Sequence, residues 1–350
     1  MKTLGKINQQ TIDHILPNKT GSKSDMVLQG PAFGVDTACI DLQNGKVLVT
    51  ASDPLSILPS LGMKASAWLS VHLVANDIAT SGHGPQFAQF VLNLPDNLTQ
   101  EDYLEYWDYI HHFCEEIGVA ITGGHTGFSD IGPSTLAGGG TMFSVVDKEM
   151  VKSSAKAKVG QSIIVTKSAA LSSSAILAKS FPNHIESNLG GKTLEKAQAN
   201  FYRTSILPEI NAIHQDSSLL SSITALHDVT EGGVLGAIYE MSEASKIGVK
   251  IDEDKIPVDK EVSAICALFE IDPLASIGAG SLLIVCDKPK SQAIIDRLNK
   301  NDIEAAIIGE TCSYEKGKTV VKNGKPTELI HQETDPYWAA YFNAITKKLD

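Results

Sequence analysis

His227–Ser245 reads HDVTEGGVLGAIYEMSEAS. The residues leading into it, Thr224–Val229, read as a strand that closes on Asp228. Glu231, Gly232 and Gly233 then turn the chain into a helix over Gly233–Lys246, with Gly248 as its stop. A carboxylate at a strand end, then glycines opening a helix, is the outline of an anion site at a helix N-terminus. Glu231 repels a bare phosphate there unless a cation bridges the two. Outward toward the C-terminus, strand Ser281–Cys286, helix Ser291–Asn299 and strand Ala305–Gly309 form a β-α-β unit, and Asp335–Lys348 is an aromatic-rich closing helix. Toward the N-terminus, a long helix over Thr193–Gln215 must bend or break near Pro208. Ser162–Lys167 is a strand, Ser172–Ser174 reads as a solvated loop with no base nearby in sequence, and Gly278, Gly280 and Ser281 make a second small-residue turn.

The polar, lysine-rich stretch Lys148–Lys158 marks a composition shift. It places a domain boundary between residues 1–150 and 158–350. In the first half a short helix, Gln9–Leu16, ends at Pro17. Strands follow over Lys46–Asp53, Gln86–Leu94, Val119–Thr126 and Thr141–Asp147, with a mostly buried helix over Lys64–Ser81. Thr99 is the expected N-cap of a helix running to about Ile117 and stopped by Gly118. Strands and helices interspersed in both halves indicate a mixed α/β or α+β architecture of two domains.

Apolar residues make up 43% of the 350 residues and charged residues 20%, which excludes extensive disorder. The net charge of −12 argues against general nucleic-acid binding and suits carboxylates that gather divalent cations. Cys39, Cys114, Cys266, Cys286 and Cys312 are odd in number with no CxxC pair, so neither a disulfide framework nor a zinc site is indicated. The first residues lack the apolar core of a signal peptide, and the longest apolar stretch, Ala275–Cys286, is too short to span a bilayer. A soluble cytoplasmic protein that binds neither membrane nor nucleic acid is the expectation.

Acidic residues recur at junctions: Asp36 in GVDTACID, Asp53 at the end of KVLVTASD, Asp77 in ANDIATSG, and Asp228. Loop and strand-end carboxylates are where hard cations are held, although Asp is also a common turn or cap residue. Asp77 stands out, because a carboxylate inside an apolar, small-residue helix is costly unless paired or metal-bound; Asn76 beside it is similarly out of place. Gly123-Gly124-His125-Thr126 follows a strand and would let backbone N–H groups approach an anion, or is a plain tight turn; Gly138–Gly140 is a third turn, read as structural. His125 has no second ligand at zinc spacing, and His72, His83, His111 and His112 read as surface or packing residues. There is no GxxxxGK[ST] loop, no GxGxxG opening a helix and no GxSxG elbow.

Taken in order, GVDTACID (Gly34–Asp41), TASDPLS (Thr50–Ser56), VANDIATSG (Val74–Gly82), ITGGHTG (Ile121–Gly127) and HDVTEGGVLGAIYEMSEAS resemble the aminoimidazole ribonucleotide (AIR) synthase superfamily across essentially the whole chain. That superfamily also holds thiamine-monophosphate kinase, selenophosphate synthetase and a hydrogenase-maturation protein that dehydrates a carbamoyl thioester; the last branch and its AIR-synthase-related relatives are the most similar. The resemblance implies a two-domain fold, an N-terminal α/β half whose strands build a barrel-like sheet across a homodimer, and a C-terminal α+β half. It implies ATP with Mg²⁺ bridging its phosphates, and phosphoryl transfer to a small-molecule carbonyl, amide or phosphate acceptor. Carried over residue by residue, Asp36, Asp53, Asp77 and Asp228 are the metal-binding carboxylates, and Asn76, Gly123, Gly124, His125 and Thr126 the nucleotide-binding residues.

Three departures qualify this. His125 stands where many members have Asp, though the selenophosphate branch also carries His there. Val35 replaces the first of two adjacent aspartates. The sequence ends AITKKLD and its last cysteine is Cys312, so the carbamoyl chemistry of the hydrogenase-maturation branch, which uses a terminal cysteine, is not expected. The selenophosphate branch's glycine-rich N-terminal loop with a reactive Cys is also absent. The alternative is a catalytically silent ATP-binding dimer acting as a sensor or assembly factor; a structural dimer without nucleotide fits the carboxylates least.

Overall fold

The computed structural model describes residues 5–7, 9–16, 19–129, 135–332 and 334–349. Helix α1 (Gln9–Ile15) comes first; Pro17, expected to end it, lies outside the described residues. The chain forms two compact units. Residues 25–30 and 37–151 make one; residues 31–36 and the described part of 1–24 cluster with Lys152 onward in the other.

The N-terminal unit holds β1 (Val27–Gln29), β2 (Ala38–Asp41), β3 (Lys46–Ser56), α2 (Gly62–Ala79), β4 (Phe87–Pro95), α3 (Gln100–Glu116), β5 (Ala120–Ser129) and β6 (Leu136–Asp147). Its sheet has the order β1-β2-β3-β6-β4-β5. Along β4, Ala88, Phe90, Leu92 and Leu94 are buried while Gln89, Val91 and Asn93 are exposed, the period of a strand covered on one face. Helices α2 and α3 pack together, and α2 lies on β3 and β6. A capping box opens α3: the Asp102 N–H donates to Thr99 Oγ1, and the Thr99 N–H donates to the Asp102 carboxylate.

In this unit the GGHT segment is not a turn. Gly123–Thr126 lies inside β5, pairing in parallel with β4, and Gly138–Gly140 lies inside β6. The glycine at 124 is required by packing, since at φ 150° a methyl group there would overlap the carbonyl oxygen of Phe90.

The C-terminal unit contains β7 (Ser162–Thr166), α4 (Leu171–Ser180), α5 (Pro182–Leu189), α6 (Gly191–Ala199), α7 (Leu207–His214), α8 (Ser217–Ser222), β8 (Ile223–Asp228), α9 (Gly233–Ser245), β9 (Gly248–Asp252), α10 (Lys260–Leu268), β10 (Leu282–Cys286), α11 (Ser291–Asn299), β11 (Ala305–Cys312), β12 (Lys318–Lys322), β13 (Lys325–Glu328) and α12 (Pro336–Lys347). The sheet order is β13-β12-β9-β11-β7-β10-β8. β7 therefore runs between β10 and β11, antiparallel to both, so the expected β-α-β unit is a split one. Val234, Ala237, Ile238 and Met241 of α9 share one cluster with Ile163, Val165, Leu283 and Val285. The alternate residues Ile164, Ile284 and Leu226 are buried too, as in strands covered on both faces.

One expectation is refined here and one fails. The helix over Thr193–Gln215 does break near Pro208, but over a longer stretch than expected: α6 ends at Ala199, a 3₁₀ turn covers Asn200–Arg203, and α7 restarts at Leu207 with Pro208 in its first turn. Ser172–Ser174 is a buried first turn of α4 rather than a solvated loop. Serine hydroxyls can be buried there because they donate to nearby carbonyls, Ser173 to Ala170 and Ser174 to Leu171. None of the five cysteines, all among the described residues, forms a disulfide, and four of them are buried. No helix among the described residues is long and apolar enough to cross a membrane.

Candidate functional site

The HDVTEGG segment builds the site. β8 delivers His227 and Asp228 at its end, in register with Leu283 and Leu282 of β10. Gly232 and Gly233 both take left-handed φ values, 81° and 63°, which let the chain reverse into α9. The backbone N–H of Gly232 donates to Asp335 Oδ2 at 2.8 Å, while Asp335 Oδ1 accepts from the N–H of Tyr337 and caps α12. The anion at the N-terminus of α9 is thus the protein's own carboxylate, which corrects the expectation of an open phosphate site there.

His227 is buried at the centre of an ionised chain. Its Nδ1 lies 2.8 Å from Asp36 Oδ2 and its Nε2 lies 3.1 Å from Glu240 Oε2. With a carboxylate at each nitrogen, both ring positions donate and the imidazole is a cation. Burial works against that charge, but Asp36 and Glu240 outweigh it and hold the pKa up at about 10. Burial likewise tends to raise the Glu240 carboxyl, but Lys6, His227 and His331 keep it well below the ordinary range. Lys6 completes the chain: its ammonium donates to Thr230 Oγ1 at 3.0 Å and sits 3.5 Å from Glu240, and its backbone N–H donates to Glu231 Oε2 at 2.7 Å. The side chain is half-exposed and desolvation of its ammonium works against the charge, yet Glu240, Asp228, Asp36 and Glu231 hold its pKa above the usual value.

These groups border a cleft of about 200 Å³ lined by Lys6, Phe33, Asp36, Glu231, Glu240 and Asp335, among others. Burial pushes Asp335 up to about 6 despite its N–H donors, and the charge of Glu231 adds to the rise. A carboxyl with such a value in a cleft wall can exchange a proton near neutral pH.

Among the described residues, one group of three has ligand atoms close enough to share an ion: Asp36, His227 and Asp228, within 4.8 Å of one another. As a three-ligand centre it does not fit a cation, because both nitrogens of His227 are committed to carboxylates and the ring is itself positive. The carboxylate oxygens have the donor chemistry Mg²⁺ takes. The other predicted residues lie in the N-terminal unit. Asp53 is on β3 opposite Gly140, Asp77 is half-buried in the last turn of α2, Asn76 beside it is buried, and Gly123–Thr126 is exposed on β5, an edge strand. The sequence reading missed His227, Glu240 and Asp335, and assigned no role to Lys6. Glu240 carried a signal: it is a carboxylate inside the apolar helix α9, the same anomaly that singled out Asp77.

The family model for the N-terminal domain of AIR synthase related proteins matches residues 34–146, and that for their C-terminal domain matches residues 158–322. A protein of Methanocaldococcus jannaschii named as a hydrogenase expression/formation protein is 28% identical over 251 residues, 71% of this chain and 71% of its own length. Carbamoyl dehydratase HypE of Cupriavidus necator is 26% identical over 289 residues, 79% of this chain and 76% of that protein. The crystal structure of hydrogenase maturation protein HypE in complex with ATP superposes with a TM-score of 0.66 at 19% identity, over 92% of this chain and 90% of that one, a likeness of fold.

Proposed function

This chain belongs to the AIR synthase related protein family, and from that premise we propose that it is an ATP- and Mg²⁺-dependent enzyme, working as a homodimer, that transfers a phosphoryl group to a small-molecule carbonyl, amide or phosphate acceptor. The observation that carries the reading is the ionised chain Lys6–Glu240–His227–Asp36 beside the cleft of about 200 Å³. Buried charges of this kind are costly, serve packing poorly and mark functional sites. The relatives named for a carbamoyl dehydratase and the ATP-bound neighbour support nucleotide chemistry in the same family.

Phosphoryl transfer asks the protein for positioning and charge stabilisation rather than covalent work. Asp36, Asp53, Asp77 and Asp228 are each proposed as oxygen donors to Mg²⁺, which when bound neutralises phosphate charge; Asp36 also holds His227 through Oδ2. Asn76 and the β5 residues Gly123, Gly124, His125 and Thr126 are the proposed nucleotide contacts. Asp335 is the proposed proton acceptor or donor toward the acceptor molecule, with Gly232 and Tyr337 fixing its orientation. The homodimer is supported by β5, a ten-residue exposed edge strand carrying the exposed Phe128, a surface that favours pairing with a further chain.

The reading is tested by thermal unfolding with ATP, with and without Mg²⁺. At 100 times its Kd a ligand stabilises by about 2.7 kcal/mol, a readily measured rise in Tm. The expected result is a Mg²⁺-dependent rise that Asp53→Asn and Asp77→Asn each remove. No rise in the unaltered chain contradicts the proposal. Val35 and His125, at positions where many members carry Asp, favour a second reading as a silent ATP-binding dimer. ADP release on addition of a metabolite pool separates the two.

A further inference from the structure

The cleft beside α9 narrows the class of acceptor. Asp36 and Glu240 are neutralised from behind by His227. Glu231 and Asp335 are not. They flank the same glycine and are met by N–H dipoles: Lys6 N and Trp338 Nε1 at Glu231, Gly232 N and Tyr337 N at Asp335. Among the described residues neither has an ion-pair partner. One wall is aromatic. Phe33 and His331 line the cleft with their rings 5.6 Å apart, and Tyr239 packs against both at 6.4 and 5.0 Å. One alkylammonium already sits at the mouth, that of Lys6, half-exposed on a short N-terminal segment and held by Thr230 and Glu240.

An anionic floor with an aromatic wall attracts an organic cation and repels a bare triphosphate. We propose that this cleft binds a cationic nitrogen group of the acceptor, a guanidinium, amidinium or alkylammonium, and that the Lys6 ammonium occupies the same subsite until the acceptor displaces it. Naming the ligand as the acceptor rests on the proposed function; the binding chemistry does not need nucleotide.

The test is calorimetric titration of the full chain, without nucleotide, with butylguanidinium, butylammonium and the neutral isostere butylurea. Both cations should bind at least tenfold more tightly than butylurea. Glu231→Gln should weaken cation binding at least fivefold, and Lys6→Met should tighten it several-fold by removing the internal competitor. A purely structural Lys6 would leave affinity unchanged or lower it. Both substitutions keep side-chain size, and unchanged circular dichroism establishes that the variants are folded. Equal binding of butylurea and butylguanidinium overturns the inference, as does unchanged or weaker cation binding by Lys6→Met. Absent cation binding with an intact ATP–Mg²⁺ stabilisation refutes the subsite and leaves the nucleotide reading standing. Cation binding without any ATP response keeps the subsite and removes its role in phosphoryl transfer.

Discussion

Replacing His227 by glutamine should destabilise the C-terminal unit severely, by an amount the structure sets. The ring is buried, and its two nitrogens face Asp36 and Glu240 at 2.8 and 3.1 Å. Glutamine keeps polarity but not charge, so two buried carboxylates would lose the cation between them. Breaking a buried ion pair costs about 3–5 kcal/mol, because the stranded charge has no water to turn to. Lys6 and His331, 3.5 and 3.8 Å from Glu240, offset part of that loss at Glu240 but not at Asp36. For a unit of this size each kcal/mol lowers Tm by about 2–4 °C, so a fall of roughly 6–20 °C is expected. Scanning calorimetry of the full chain resolves it. Adding Glu240→Gln removes one stranded carboxylate, so the double variant should be more stable than the sum of the single losses by about 1.5 kcal/mol or more. A loss below about 1 kcal/mol in His227→Gln, or strict additivity in the double variant, would refute the idea that His227 is the internal counter-ion.

Asp335 gives a pH signature. Its folded value of about 6 lies above the ordinary 3.8, so the folded state holds the proton more tightly and this group's contribution to stability falls as pH rises from about 4 to 6, by about 3 kcal/mol. Denaturant unfolding at several pH values should show that slope in the unaltered chain and lose it in Asp335→Asn; equal slopes would contradict it. Gly124→Ala should cost more than about 3 kcal/mol through collision with Phe90, whereas Gly127→Ala, whose nearest neighbour is His125 Nε2 at 3.5 Å, should cost less than about 1 kcal/mol. Equal melting of the two variants would return Gly124 to a purely nucleotide-binding role. Light scattering at micromolar concentration should give a dimeric mass, and a monomeric mass would remove the proposed homodimer.

Local features were legible in the sequence because local physics decides them. The strand–EGG–helix order of His227–Ser245, the capping box at Thr99 and the alternation along β4 depend on residues a few positions apart. What was not legible depends on distant partners. Nothing in Ser162–Thr166 announces that β7 lies between β10 and β11. GGHT carries a turn signal, yet its glycines serve a close strand approach that only the pairing with β4 reveals. Asp36 was singled out as a carboxylate, but nothing near it in the sequence announces His227, 191 residues away, as a partner. Asp335 stands at the start of the predicted closing helix. Nothing in that segment indicates that it also takes the N–H of Gly232, 103 residues earlier.

The most direct measurement is a crystal structure of the chain soaked with a non-hydrolysable ATP analogue and Mg²⁺. The expected density is a triphosphate whose Mg²⁺ is bound by Asp53 and Asp77, with Asp36 still on His227. A nucleotide with Mg²⁺ on neither aspartate, or no nucleotide density at saturating concentration, would contradict the assignment of this chain as an ATP- and Mg²⁺-dependent enzyme.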